Sequence, residues 1–428
     1  MLALQGFLTI GAFLAIVLGT RIPVAAALIL TPIISVLLFG NGADLGVMAL
    51  DGVRTVAPVA AMIMFAMLYF GVMIDKGLFR PLVDGLLRFA KNDPVRVCLA
   101  SAALPMIVAL DGDGATTFLI SITALLPLHQ RLRINPLVLP GIVALAAGVM
   151  NLLPWGGPTA RAMAALDAGA QHIFTPMIPA MLAGVAWVFF AAWWMGWSER
   201  RRLVREGHAE TAAADVAPAA AAARGGLLFW FNAVLTLVLI GCLFAHIAPL
   251  PLLFMAAFAI AVMVNYPKLQ AQQDFIASQA GNVVMVVSMI LAAGVFTGVL
   301  NGAGMITAMA QSLAAAIPDG ASGHLSKIVA IASMPLSLVF TPDAFYFGVL
   351  PVFAETARVA GEDPLAIGRA AILGQMTTGF PLSPLTASTF ILIGMAGVSL
   401  RDHQRFIFLW AFGTTLVMTL VSVLIGAI

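Results

Sequence analysis

The stretch that decides the fold is Leu110-Asp111-Gly112-Asp113-Gly114-Ala115-Thr116-Thr117. It places two carboxylates, two glycines and two hydroxyls inside an otherwise apolar region. The apolar runs that flank it, 97–110 and 118–128, are both too short to cross a bilayer, since a spanning helix needs about 20 apolar residues. We therefore predict a hairpin that enters the membrane, turns at this polar tip and leaves on the same side. Non-helical backbone is tolerated at that depth only where protein buries it or where it lines a cavity, so the tip is a candidate binding site.

The composition is that of an all-α polytopic membrane protein. Of 428 residues, 62% are hydrophobic and 9% are charged, whereas a soluble domain carries about 25% charge. The two cysteines, Cys98 and Cys242, lie in apolar surroundings and predict no disulfide. No spacing resembles a metal–thiolate site, a phosphate loop or a nucleophile elbow. We therefore expect neither an enzyme nor a nucleic-acid partner, but a protein whose surroundings are the lipid bilayer.

Hydropathy predicts ten membrane crossings and two re-entrant hairpins. The crossings are expected at 3–20, 22–40, 56–75, 136–150, 172–197, 227–247, 249–266, 275–301, 364–378 and 406–427. The hairpins are expected at 97–130 and 325–357, each split by a polar break. Residues 198–225 are predicted to form a flexible, solvated connector between the two halves.

The distribution of lysine and arginine predicts the orientation. Placing the connector 198–225 in the cytoplasm puts sixteen of the twenty-one lysines and arginines on the inner side. Both termini then lie outside, the first hairpin opens from the cytoplasm and the second opens from outside.

An internal repeat relates the two halves. Landmarks recur with offsets of 227–230 residues and pair Gly71 with Gly298, Asp113 with Asp343, Asn135 with Asp363, and Pro154 with Pro381. Five crossings in each half is an odd number, so the second copy must be inverted relative to the first. Inverted repeats that contain interrupted helices are typical of secondary transporters.

Three aspartates are predicted to lie at membrane depth, Asp111, Asp113 and Asp343. A carboxylate there costs at least about 2.5–3.5 kcal/mol, so each is expected to face a cavity or a partner. The alternative is that Asp113 and Asp343 only cap the short helix that follows each tip.

Each half also contains a broken span. In the first, Pro154 and Pro158 enclose glycines, and the helix that restarts at Pro158 points its unpaired N–H groups into the break, an arrangement that favours anions. Arg161 lies one turn later and can hold a carboxylate through two parallel bonds; the alternative is an arginine that snorkels to the interface. In the second, residues 375–386 supply hydroxyls, for which bonding to the helix backbone is an equal alternative. These residues indicate a site for an anionic solute that travels with a cation, and no more.

Three motifs resemble the CitMHS family of citrate–metal:proton symporters in the ion transporter superfamily. They are residues 111–117 (DGDGATT), 135–139 (NPLVL) and 150–161 (MNLLPWGGPTAR). The resemblance extends over nearly the whole chain and is weakest in the connector. It implies a homodimer and an elevator-type transporter, with scaffold parts at 1–96 and 226–320 and transport parts at 97–197 and 321–428.

The resemblance also implies the substrate, which is citrate complexed with a divalent metal such as magnesium or calcium and carried with protons across the bacterial cytoplasmic membrane. No resident cofactor is expected, because the metal belongs to the substrate. We expect carboxylates to bind at Arg161 and the helix end Gly156, Gly157 and Thr159, and the metal or protons at Asp111, Asp113 and Asp343. The neutral ligands expected are Asn151, Thr116, Thr117, Thr377, Thr378, Ser383 and Thr386.

Two other functions remain open at this point. A sodium–proton antiporter, or a carrier of another di- or tricarboxylate, could use the same fold; an antiporter needs the acids but no site for an organic anion. A more remote alternative is an intramembrane hydrolase that uses Asp111 and Asp113, although no histidine is evident beside them to activate water.

Overall fold

The described part of the chain consists of helices and turns, with no β-strand. The structure is a computed structural model that describes residues 1–39, 42, 44–90, 93–112, 114–206, 226–245, 247–316 and 323–428. Asp113 of the predicted tip and residues 207–225 of the predicted connector lie outside the described residues.

Nineteen α-helices are described, ten before the connector and nine after it. The first ten are α1 Leu2–Gly19, α2 Val24–Leu38, α3 Leu45–Asp75, α4 Arg80–Ala90, α5 Pro94–Val108, α6 Gly114–Arg131, α7 Val138–Met150, α8 Gly157–Ala165, α9 Ala170–Ile173 and α10 Ile178–Arg205. The others are α11 Leu227–Phe244, α12 Leu250–Asn265, α13 Leu269–Gly302, α14 Met305–Ala314, α15 Leu325–Leu336, α16 Leu350–Val359, α17 Pro364–Ile372, α18 Ala387–Ala396 and α19 Leu400–Leu424. A π-helix, Ala344–Val349, precedes α16.

Four helical segments are long and apolar enough to cross a membrane, judged by length and composition over the described residues. They are Leu45–Asp75, Ala170–Arg205, Leu269–Gly302 and Leu400–Leu424. Nine shorter apolar helices of 10–17 residues accompany them. This pattern of long and short apolar helices is that of a multi-pass membrane protein.

The two longest helices, α3 and α13, form the central pair because glycines let their backbones touch. A Cβ atom on Gly298 would lie 2.5 Å from the Met48 carbonyl oxygen and 2.7 Å from Gly52 Cα. A Cβ atom on Gly52 would in turn collide with the Gly294 carbonyl. Helices α2 and α12 pack against this pair, and helix α8 of the first break contacts both of its members.

Both ends of the first predicted hairpin are hydrogen-bonded to the carboxyl end of α10. Helices α5 and α6 lie side by side, and the Ser101 hydroxyl and His129 Nε2 join them at 2.9 Å. Before α5, Asp93 accepts a hydrogen bond from Arg200. After α6, the Asn135 N–H donates to Glu199 at 2.9 Å. Both arms are thus anchored at one point.

The second predicted hairpin also enters and leaves at one point. The Glu362 carboxylate, just after α16, accepts the N–H groups of Gly323 at 2.8 Å and Leu325 at 3.2 Å, at the start of α15. Arg369 of α17 lies close to this point, because it pairs with Asp363, the residue after Glu362. Arg369 also donates to the carbonyl oxygen of His172 at 3.1 Å, and His172 lies shortly before α10.

These anchors place the open ends of the two hairpins at opposite ends of α10. The helix has 28 residues and is about 42 Å long, so the openings are separated by roughly the thickness of a membrane. The capping of the helices that follow also matches between halves. Asn135 accepts the Leu137 N–H at 3.0 Å, and Asp363 accepts the Leu365 N–H at 2.9 Å.

Two segments differ from the sequence-based expectation. Helix α10 continues through Arg205, so residues 198–205 of the predicted connector are helical, and Glu199 is buried there by its hydrogen bonds. The span predicted at 364–378 is helical only to Ile372. Beyond it the chain turns, and Gly374 and Gly379 let this turn pack directly against the end of α15.

Replacing Gly298 by alanine tests the central helix pair. We expect Gly298→Ala to destabilise the protein by about 1–3 kcal/mol, because the methyl group would collide with the backbone of α3. The control is Gly281→Ala on the same helix, where a Cβ meets nothing within 4 Å; it should be neutral or slightly stabilising, since alanine favours helix. Thermal unfolding in detergent measures both, and equal midpoints would contradict the packing.

Candidate functional site

The first break, between α7 and α8, is enforced by its glycines and prolines. Gly156 is the N-cap of α8 with an extended backbone, and a Cβ there would collide with the Asn151 carbonyl. Pro158 starts the new helix without needing an N–H partner. The Thr159 hydroxyl donates to the Leu152 carbonyl at 2.8 Å and so ties the restarted helix to the turn.

The second break, between α17 and α18, is held by hydroxyl groups. The Thr377 hydroxyl donates to the Ile372 carbonyl at 2.5 Å, and the Thr378 hydroxyl pairs with that of Thr415 at 2.6 Å. The Ser383 hydroxyl donates to the Ser337 carbonyl at 2.6 Å. Thr377 and Ser383 therefore bond to backbone carbonyls, whereas Thr378 bonds to another side chain.

The two breaks touch each other, although more than 200 residues separate them. Asn151 Nδ2 donates to the Met376 carbonyl at 3.2 Å. A Cβ on Gly148 would lie 2.6 Å from the Thr377 carbonyl oxygen, and one on Gly157 would lie 2.6 Å from Met376 Cε. The small residues at the first break are what allow this approach.

The second hairpin is docked on the second break by residues that the sequence analysis did not select. The Tyr346 hydroxyl donates to the Gln375 carbonyl at 2.8 Å, and the Ser337 hydroxyl donates to Gln375 Oε1 at 2.7 Å. All three residues are buried. The only available signal was that each is a polar residue beside a break or a tip.

The centre of the arrangement is an ion pair between Arg161 and Asp343. Arg161 Nε lies 2.7 Å from Asp343 Oδ1, and each side chain is 11% exposed. Arg161 Nη1 also donates to the Gly157 carbonyl at 3.2 Å. The cation and the acid that the sequence singles out separately are therefore partners, and Arg161 does not snorkel to an interface.

Asp343 does not cap the helix that follows it. It precedes the π-helix, but its carboxylate makes no capping hydrogen bond. The Thr341 hydroxyl accepts the Ala344 N–H at 3.3 Å instead. The capping alternative is thus wrong for Asp343, whose carboxylate is free to face Arg161.

The first hairpin reaches the same region through its tip. Trp155 Nε1 of the first break donates to the Leu110 carbonyl at 2.9 Å. Gly112 has a φ of +77°, which the tight turn requires. A Cβ on Gly114 would lie 2.6 Å from Phe380 Cζ in the second break. Asp111 ends the short 3₁₀ turn of the tip.

The remaining predicted site residues lie around these contacts. Thr116 and Thr117 are in the first turn of α6, and Thr117 is fully buried. Thr386 precedes α18, and its hydroxyl is buried with no partner among the described residues. The described part of the chain, which does not include Asp113, contains no group of three or more His, Cys, Asp or Glu that could hold a metal ion.

An open cavity of about 450 Å³ lies beside α8, bounded by α3, α13 and α16. Its polar lining includes Asp51, Asp167, Asn301 and Glu355. It reaches the carboxyl end of α8, one turn beyond Arg161, on the side where the second hairpin opens.

Comparisons with known proteins agree with this arrangement. The CitMHS family, described as citrate transporter, matches residues 8–374. A citrate transporter of Bacillus subtilis (strain 168) is 49% identical over 430 residues, covering 100% of both chains. A Mg(2+)/citrate complex secondary transporter of the same organism is 45% identical, covering 100% of this chain and 99% of the relative.

A solved structure shows the same fold. The YdaH transporter of Alcanivorax borkumensis superposes with a TM-score of 0.58, covering 99% of this chain and 98% of the other at 16% identity. Both the relatives and this structure are transporters, so the protein is a membrane transporter and not an enzyme. The match over most of its length shows that the chain belongs to the CitMHS family of citrate transporters.

Proposed function

We propose that this protein is a secondary active transporter that carries citrate, complexed with a divalent metal, in symport with protons. The observation that carries the proposal is the buried Arg161, which lies where the two broken helices and the second hairpin meet. A buried guanidinium is the side chain best suited to hold a carboxylate through two hydrogen bonds. A relative that is 45% identical is named as a transporter of the Mg(2+)/citrate complex.

Each charge of the substrate has a counterpart in this site. Arg161 and the amino end of α8 would bind carboxylates of citrate through the N–H groups of Gly157 and Thr159, which precede the first hydrogen bond inside the helix. The Gly156 N–H already donates to the Leu153 carbonyl at 2.8 Å. Asp343, with Asp111 and Asp113 of the first tip, would balance the positive charge of the metal or the protons. Without a cation these acids would repel citrate.

We further propose that the chain is an inverted repeat that works as an elevator in a homodimer. The hairpins that open at opposite ends of α10 support the inversion. At the first break, the Trp155 ring packs on rings of the α3–α12 body, with centroids 5.4 Å from Phe70 and 5.0 Å from Phe254. Such an apolar contact can slide more easily than one made of hydrogen bonds. The connector would be cytoplasmic and both termini external.

Replacing Arg161 tests the anion site. We expect Arg161→Ala to weaken citrate binding by about 30-fold or more, because a buried charged partner of a carboxylate typically contributes 2–5 kcal/mol. Isothermal titration of the purified protein with magnesium citrate measures this.

The control for that experiment is Arg205→Ala, an exposed arginine at the end of α10 whose guanidinium donates to the Arg201 carbonyl in its own helix. It should bind citrate as the unmodified protein does. A sodium–proton antiporter would tolerate Arg161→Ala. Two results together would therefore favour that alternative: unchanged sodium–proton exchange in Arg161→Ala, and no citrate binding to the unmodified protein.

Removing the metal tests the form of the substrate. Uptake of labelled citrate into proteoliposomes should proceed with magnesium or calcium and fall to background with a chelator, because free citrate brings no cation to the acids of the site. Equal uptake with and without chelator would exclude the metal complex. A pH gradient, inside alkaline, should speed the metal-dependent uptake if protons are carried along.

A further inference from the structure

We propose that Asp343 is the residue that makes the site reject metal-free citrate, because citrate that binds the Nε edge of Arg161 displaces it. This inference rests on the proposed function and assigns a specificity role within that site. It follows from the geometry of one ion pair and from what becomes of the displaced carboxylate.

The first step is a competition for Arg161. Asp343 Oδ1 occupies the Nε of the guanidinium at 2.7 Å, and Nη1 is held by the Gly157 carbonyl. A carboxylate that binds an arginine through two parallel bonds uses two adjacent N–H groups of the guanidinium. On the edge that contains Nε, such a ligand has to displace Asp343.

The second step is the fate of Asp343 after displacement. Among the described residues, its only hydrogen-bond or ion-pair partner is Arg161. The Ala344 N–H, at the start of the helix that follows, already donates to the Thr341 hydroxyl. The hydroxyl of Tyr346 in the π-helix already donates to the Gln375 carbonyl. The displaced carboxylate is therefore buried without compensation, which is strongly unfavourable.

The third step distinguishes the two forms of the substrate. Metal-free citrate brings negative charge next to the displaced Asp343 carboxylate. Replacing Asp343 by citrate on Arg161 therefore leaves like charges close together. The metal complex brings a divalent cation with its carboxylate, and this cation compensates Asp343 at the moment when Arg161 leaves it. Discrimination thus comes from a repulsive element that only the complex neutralises, a common source of specificity.

The test compares the affinity for citrate with and without magnesium in the full-length protein and in Asp343→Asn. The unmodified protein should bind magnesium citrate at least about tenfold more tightly than citrate in chelator, as expected for an opposed buried charge. In Asp343→Asn that ratio should fall towards one, mainly because metal-free citrate binds more tightly. A loss of both forms, or an unchanged ratio, would overturn the proposal.

Two further variants keep the result interpretable. Glu206→Gln removes an exposed ion pair with Arg202 at the far end of α10 and should leave the ratio unchanged. Asp343→Glu keeps the negative charge and should still reject metal-free citrate. This variant tests the proposal if Asp343→Asn does not fold. Equal binding of both forms by Asp343→Glu would contradict the proposal. If the unmodified protein bound neither form, the proposed function itself would fail. Binding of the complex with an unchanged ratio in Asp343→Asn would overturn only the role of Asp343.

Discussion

The buried pair of Arg161 and Asp343 is the constraint on which the arrangement of this protein depends. Either charge alone would be costly at membrane depth, so the helix that restarts after the first break and the tip of the second hairpin must meet. They come from different halves of the chain, 182 residues apart. The pair thus joins the two halves at one point and places a cation beside an acid in an apolar protein.

The breaks around this pair are possible because their backbone groups find partners inside the protein. In a membrane, every interrupted helix leaves N–H and carbonyl groups that lipid cannot satisfy. Here an indole of the first break donates to a carbonyl of the first hairpin, and an amide of the same break donates to a carbonyl of the second break. Tyr346 and Ser337 of the second hairpin bind the Gln375 carbonyl and the Met376 N–H. Each element is thus stabilised by another that is itself interrupted. Interruptions of this kind concentrate at one place, which is the site that we propose.

Much of this could be predicted from the sequence, because polar residues within long apolar runs are rare and each needs a reason. The two hairpins, the breaks and the selection of Arg161 and Asp343 follow from that rule alone. The pairing of Arg161 with Asp343 does not, since hydropathy carries no information about distant contacts. For the same reason the sequence did not reveal that Thr378 pairs with Thr415, or that α17 ends at Ile372. Family resemblance identified the substrate class, which residue chemistry limited only to an anion with a cation.

The most direct measurement of the central claim is an experimental structure of the protein with magnesium citrate bound, compared with one in chelator. The account predicts a citrate carboxylate within hydrogen-bonding distance of the Arg161 guanidinium. Asp343 should then have moved from its 2.7 Å contact with Arg161 Nε to face the metal ion. A complex in which citrate is bound elsewhere, while Arg161 and Asp343 remain paired, would contradict it.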